Sequence, residues 1–150
     1  MKRALCLILT VLLTFGLLPI QGNAAENPIE TVYFDDGSYL TVEIITNGSR
    51  ATGSVTGSKP ATYYDSDGVA QWKAILSGTF TYTGTSATCT SANMSVTIYD
   101  SSWYVISKSA SKSGNTATGN ATIGDKLGGV TVSKAPVSLT LTCDANGNLS

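Results

Sequence analysis

The stretch Trp72-Lys-Ala-Ile-Leu-Ser-Gly-Thr-Phe-Thr-Tyr-Thr83 decides how the chain folds. Trp72, Ala74, Leu76, Gly78, Phe80 and Tyr82 fall on one side; Lys73, Ile75, Ser77, Thr79, Thr81 and Thr83 fall on the other. A period of two means that successive side chains point to opposite faces of a pleated strand. One face buries apolar groups and the other carries hydroxyls, as in an antiparallel sheet wetted on one side. Gly78, without a side chain to pack, marks a bulge or bend in mid-strand.

Working outward, the same grammar recurs. Thr31–Phe34 and Tyr39–Ile45 flank the turn Asp35-Asp-Gly-Ser38, and Ala61–Tyr64 meets the strand from Val69 through Asp65-Ser-Asp-Gly68. Turn formers between β-prone runs predict hairpins. Asn47 to Pro60, rich in Gly, Ser and Thr, reads as a loose connection. Thr85–Ser91, Met94–Tyr99, Trp103–Ser111, Thr116–Ile123, Val130–Lys134 and Val137–Cys143 read as further strands. Gly124 to Gly129 reads as a loop, and Pro136 suits a bend or an edge. No segment beyond the first 25 residues has a helical period. Nine or ten short strands predict an all-β fold, an antiparallel β-sandwich that is immunoglobulin-like in outline, with a small closed β-barrel as the alternative. The order of Cys89, Trp103 and Cys143, with Leu141 two residues before the second cysteine, departs from the immunoglobulin signature.

The first residues have a different character. Lys2 and Arg3 precede a mostly apolar run from Ala4 to Leu18, then Pro19, then the small residues Gly22-Asn-Ala-Ala25. This is the layout of a secretory signal peptide over residues 1–25, cleaved after Ala24 or Ala25. The run is short for a span of about 20 apolar residues. Cys6 lies within it and leaves with it. The remaining domain, 26–150, is long enough for one core, carries seven basic and ten acidic residues, and is expected outside the cell. Its two cysteines, Cys89 and Cys143, lie on alternating segments. An even count in an exported chain predicts a disulfide, formed across the core from strands of opposite sheets.

Composition excludes several chemistries. The chain has no His, so a Ser-His-Asp nucleophile, a His-ligated zinc and an imidazole pH switch are out. A net charge of −1 gives no basic footprint for nucleic acid. Asp65 and Asp67 resemble part of a calcium loop, but Tyr63 and Ala74 would occupy its first and twelfth positions; a hairpin turn explains the same residues. Ser109-Ala-Ser-Lys112 spells a serine–lysine pair that works only on a helix. Gly119 to Asp125 begins like a phosphate loop but has Asp125 where lysine is required. Glu26, Glu30, Glu43, Asp100, Asp125 and Asp144 are dispersed, and no two are nominated as a glycosidase pair. Asn47, Asn93, Asn120 and Asn148 begin glycosylation triplets that matter only in a eukaryotic secretory route. No cofactor and no metal site is nominated.

Tyr63, Tyr64, Trp103 and Tyr104 lie near hairpin ends, where exposed rings could stack on sugar faces; core and cross-strand packing is the competing role. Trp72, Phe80 and Tyr82 belong to the core. Tyr33-Phe-Asp-Asp-Gly-Ser-Tyr39, Ala70-Gln-Trp-Lys-Ala74, Gly78-Thr-Phe-Thr-Tyr-Thr-Gly84 and Cys143-Asp-Ala-Asn-Gly-Asn148 resemble small uncharacterised exported proteins of Gram-positive gut bacteria. The resemblance implies export and a bacterial source, and no activity. The expectation is therefore a secreted, non-enzymatic β-sandwich acting by surface binding to a protein or glycan. A small secreted hydrolase using carboxylates and a secreted antagonistic toxin are the alternatives.

Overall fold

Strand β5, Ala70–Tyr82, alternates as its sequence requires: Trp72, Ala74, Leu76 and Phe80 are buried, and Lys73, Ile75, Ser77 and Thr79 between them are half-buried. The computed structural model describes residues 29–51 and 53–150, the side chains of 47–51 excepted. The expected signal peptide, residues 1–25, lies outside the described residues. β1 (Glu30–Tyr33), β2 (Tyr39–Val42), β3 (Ile45–Ala51), β4 (Ser54–Tyr64), β5 and β6 (Ala87–Ile98) form one sheet, and β7 (Trp103–Ser113), β8 (Thr116–Leu127) and β9 (Val130–Thr142) form a second. All pairings are antiparallel. The sheets are not closed into a barrel, so the architecture is the β-sandwich. No described helix is long and apolar enough to cross a membrane.

The connectivity departs from the immunoglobulin outline. The strands run β1-β2-β4-β5-β6 and β7-β8-β9 in sequence order, as a meander, where an immunoglobulin domain uses Greek-key connections. β3 pairs with β4 on the side that β2 also occupies. Pro60 explains why that edge is broken in two. It lies between Ala61, which pairs with Val42, and Ser58, which pairs with Ile45. Proline has no N–H to donate to a ladder, and the edge strand is interrupted at Glu43 and Ile44, with Glu43 N donating to Pro60 O at 3.2 Å.

Several segments are longer and more regular than the sequence pattern suggests. The described residues of the stretch 47–60, read as a loose connection, lie mostly in β3 and β4, which pair antiparallel. The two strands expected at Thr85–Ser91 and Met94–Tyr99 are joined in one, β6, which runs only from Ala87 to Ile98 and has an extra residue at Thr90 where the register shifts opposite Thr79 and Phe80. The bulge therefore lies just past Gly78, and Gly78 serves packing: a Cβ there would come within 2.8 Å of the Phe80 ring. The expected loop 124–129 is mostly strand, closed by Gly128-Gly129. Val130–Lys134 and Val137–Cys143 merge into β9, which tolerates Pro136 because it is an edge strand.

The core lies between the sheets. Leu40, Val42, Val55, Ala61, Trp72, Ala74, Leu76, Phe80 and Met94 face Ala117, Ala121, Ile123, Val137, Leu139 and Leu141. The sheets pack closely at Gly119, where an added Cβ would meet Met94 Sδ at 2.8 Å and Leu76 Cδ1 at 3.0 Å. One end is closed by Phe34, Tyr63, Trp72 and Trp103. At the other, residues 143–150 fold back, with Thr142 and Ser150 exchanging backbone hydrogen bonds of 2.8 and 2.9 Å. That places Leu149 over Gly57, which has no side chain to obstruct it.

Candidate functional site

Tyr63, Tyr64, Trp103 and Tyr104 do not form one shelf. Neighbours in a strand point to opposite faces, so each adjacent pair is divided between the inside and the outside of the sandwich. Tyr63 faces inward and stacks on Trp72, with centroids 5.3 Å apart and planes 16° from parallel. Trp103 meets Tyr63 edge-on at 5.5 Å and Trp72 at 6.3 Å. The Tyr63 hydroxyl is tied to the Ser38 side chain; burial pushes its pKa up, partly offset by that hydrogen bond. These two rings are packing residues.

Tyr104 lies across Gly124, on the outer face of the second sheet, with its ring held by a hydroxyl contact to Thr131 and by Lys126 Nζ at 5.8 Å from its centroid. Tyr64 lies on the outer face of the first sheet and belongs to a row the sequence reading did not assemble. Tyr33 is in register with Tyr39, and Tyr39 with Tyr64. Tyr39 and Tyr64 are stacked at 4.7 Å and 13°, while Tyr33 and Tyr39 are tilted at 5.6 Å and 42°. Tyr33 is 74% exposed, and the other two are half-buried. The Tyr33–Tyr39 half was legible, because those residues flank a short turn. The third rung was not, because β2 and β4 meet only after β3 intervenes.

Two acidic turns border this ladder. The β1–β2 turn approaches the β4–β5 turn at Gly37, where a Cβ would stand 3.3 Å from Ser66 Cβ, and the Tyr39 hydroxyl lies against Gly68. Asp36 Oδ1 accepts from Ser38 N at 3.0 Å and from the Ser38 hydroxyl, and these bonds lower its pKa. Asp65 Oδ1 accepts from the amides of Asp67 and Val69 at 3.0 and 2.8 Å, and Oδ2 accepts from Gln71 Nε2 at 2.8 Å. The Asp65 carboxylate thus organises its own hairpin. Among the described residues, no group of three or more His, Cys, Asp or Glu could hold a metal ion. Asp35 and Asp67 are exposed beside the ladder.

The other motifs resolve into strand structure. Ser109 and Lys112 alternate on β7, and Lys112 Nζ donates to Thr90 O at 2.7 Å. Gly119 to Asp125 is an extended part of β8. The disulfide expected between Cys89 and Cys143 is a correction: no bond joins the two sulfurs, and each thiol donates to a nearby carbonyl, Cys89 to Ser91 at 3.3 Å and Cys143 to Asp144 at 3.4 Å. Their placement at the core between the sheets agrees with the sequence reading. Cys89 is on β6 and Cys143 follows β9; Cys89 N donates to Gly114 O at 2.7 Å and Cys143 N to Asn115 O at 3.0 Å, so both flank one turn. Burial raises the Cys89 pKa, against smaller opposing effects of the Ser91 hydrogen bond and Lys112.

No protein-family model, curated protein or solved structure matches the chain.

Proposed function

We propose that this chain is an exported, non-enzymatic β-sandwich that works by surface contact with a glycan, through Tyr33, Tyr39 and Tyr64. The observation that carries the reading is the ladder itself, three aromatic rings in register on a solvent-facing sheet. Flat rings supply contact area with few rotatable bonds, and their hydroxyls reach polar partners at the edge. A sugar presents a C–H face to such a ring and its hydroxyls to neighbouring acceptors, here the exposed Asp35 and Asp67. The absence of catalysis is supported by the condition of the carboxylates: Asp36, Asp65, Asp100 and Asp144 each accept amide hydrogens of their own turns. In the same reading, residues 1–25 direct export from a bacterial cell.

Glycan-array binding followed by titration calorimetry tests the proposal. The chain from residue 26 onward binds a glycan class, and the Tyr33→Ala/Tyr64→Ala variant loses at least about tenfold in affinity with its fold intact. Equal binding by parent and variant, or no glycan retained, overturns it.

A further inference from the structure

Four hairpin turns gather at one end of the sandwich. Gly37 in the β1–β2 turn stands against Ser66 in the β4–β5 turn. In the β6–β7 turn, Tyr99 N and Asp100 N donate to Gln71 O at 2.9 and 3.1 Å, and Lys126 N, just before the β8–β9 turn, donates to Ser102 O at 2.9 Å. Three of these turns present large apolar side chains to solvent: Val69 is 58% exposed, Tyr99 54%, Leu127 75% and Val130 67%. The described turns at the opposite end, 83–86, 114–115 and 144–148, carry no large apolar residue.

Charge is divided between the same two ends. Asp35, Asp36, Asp65, Asp67 and Asp100 belong to the gathered turns, and Asp125 lies two residues before Leu127, on the same side of β8 by alternation. Six of the ten acidic residues of the chain are therefore at this end. Asp36, Asp65 and Asp125 all act on the Tyr63 hydroxyl, so carboxylates of both sheets surround one mouth. The lysines at this end belong to outward strand faces. Lys73 alternates with the buried Trp72 and Ala74, Lys126 lies over the Tyr104 ring, and Lys134 pairs with Gly124 beneath that ring. Carboxylates outnumber them two to one. Lys112 is at the opposite end, where it donates to Thr90 O.

We infer that this turn-bearing end docks a basic peptide segment that also carries apolar side chains, with Leu127, Val130, Val69 and Tyr99 as the apolar contacts and the six aspartates as an acidic surround. An apolar centre inside a polar rim is the anatomy of a protein interface, and opposite charge on the two partners steers and orients the encounter. The aliphatic tips select among cationic partners. An amino-sugar polymer would satisfy the carboxylates and leave Leu127 and Val130 in water. A second copy placed end to end would set carboxylates against carboxylates, and the opposite end of a second copy offers its turns no apolar group to receive the tips. An anionic surface is repelled. The ladder of Tyr33, Tyr39 and Tyr64 lies on a sheet face, and the glycan reading does not depend on this end.

The test is titration of residues 26–150, which contain every described strand, with a synthetic peptide of lysine and leucine, its serine-for-leucine counterpart and its glutamate-for-lysine counterpart. The parent binds the lysine–leucine peptide, binds the serine counterpart about tenfold more weakly, and does not bind the glutamate counterpart. Salt at about 0.5 M weakens the complex, because it shortens the electrostatic range. Leu127→Ser/Val130→Ser lowers affinity by about tenfold. Asp100→Asn and Asp125→Asn each lower it by about threefold; the asparagine oxygen at 100 can still accept from Ser102 N, which Asp100 Oδ1 holds at 2.8 Å. Circular dichroism and melting of these variants match the parent. Tyr33→Ala/Tyr64→Ala binds the peptide like the parent, which separates this surface from the glycan ladder. No binding of the lysine–leucine peptide, equal binding of the serine counterpart, undiminished binding by the Leu127/Val130 variant, or a glucosamine oligomer that binds and loses affinity in the same variants would each overturn the inference.

Discussion

The Nζ of Lys59 on β4 donates to the carbonyl oxygen of Thr140 on β9 at 3.0 Å, joining the two sheets through an inward-pointing lysine. Burial lowers the pKa of this ammonium, and the charge of Glu30 opposes the shift without reversing it. An unfolded lysine holds its proton up to about pH 10.4. Between the folded and unfolded values the unfolded chain binds more protons, so stability contributed by this group rises with pH through that window. Measured against Lys59→Met, which keeps the apolar stem and lacks the charge, the parent gains stability as pH is raised toward 10.4. Denaturant titrations of both proteins from neutral to alkaline pH check this, and a constant difference would contradict it.

Tyr63 and Tyr64 are adjacent and should respond differently. Tyr64→Ala removes an outer cross-strand partner of Tyr39 and costs about 1 kcal/mol. Tyr63→Ala opens the inner cluster with Trp72 and Trp103 and costs about 3 kcal/mol. Urea midpoints with unchanged slopes measure both.

Gly119→Ala brings a Cβ within 2.8 Å of Met94 Sδ and 3.0 Å of Leu76 Cδ1. The two sheets meet here, so the added methyl strains the core by about 1–3 kcal/mol. Thermal unfolding of the variant should shift down by several degrees; an unchanged midpoint would show that Met94 relaxes without cost.

Acid should weaken the terminal hairpin. Burial pushes the Asp144 pKa up, but bonds from the Asn148 side chain and from the amides of Asn148, Asn146 and Gly147 outweigh it and hold the pKa below the usual value. The resulting stability is present above the unfolded pKa of about 3.9 and is lost as pH falls through the folded value. The stability difference between the parent and Asp144→Asn is therefore largest near neutrality and shrinks in strong acid. Denaturation curves at several pH values read it directly.

Alternation and turn chemistry are local properties, so the strand at 70–82, the turns at Asp35–Ser38 and Asp65–Gly68, and the layered all-β class were legible in the residues alone. The sequence could not show that the described residues of 47–60 lie mostly in β3 and β4. Gly, Ser and Thr there carry little hydrophobic signal, and β4 is defined by its hydrogen bonds to the neighbouring β5. Nor could it assemble Tyr33, Tyr39 and Tyr64, or separate Tyr63 from Tyr64 by role. Those outcomes rest on register between strands distant in sequence, and a one-residue change in register exchanges the faces of a sheet. Tertiary pairing therefore decided which aromatics became core and which remained at the surface.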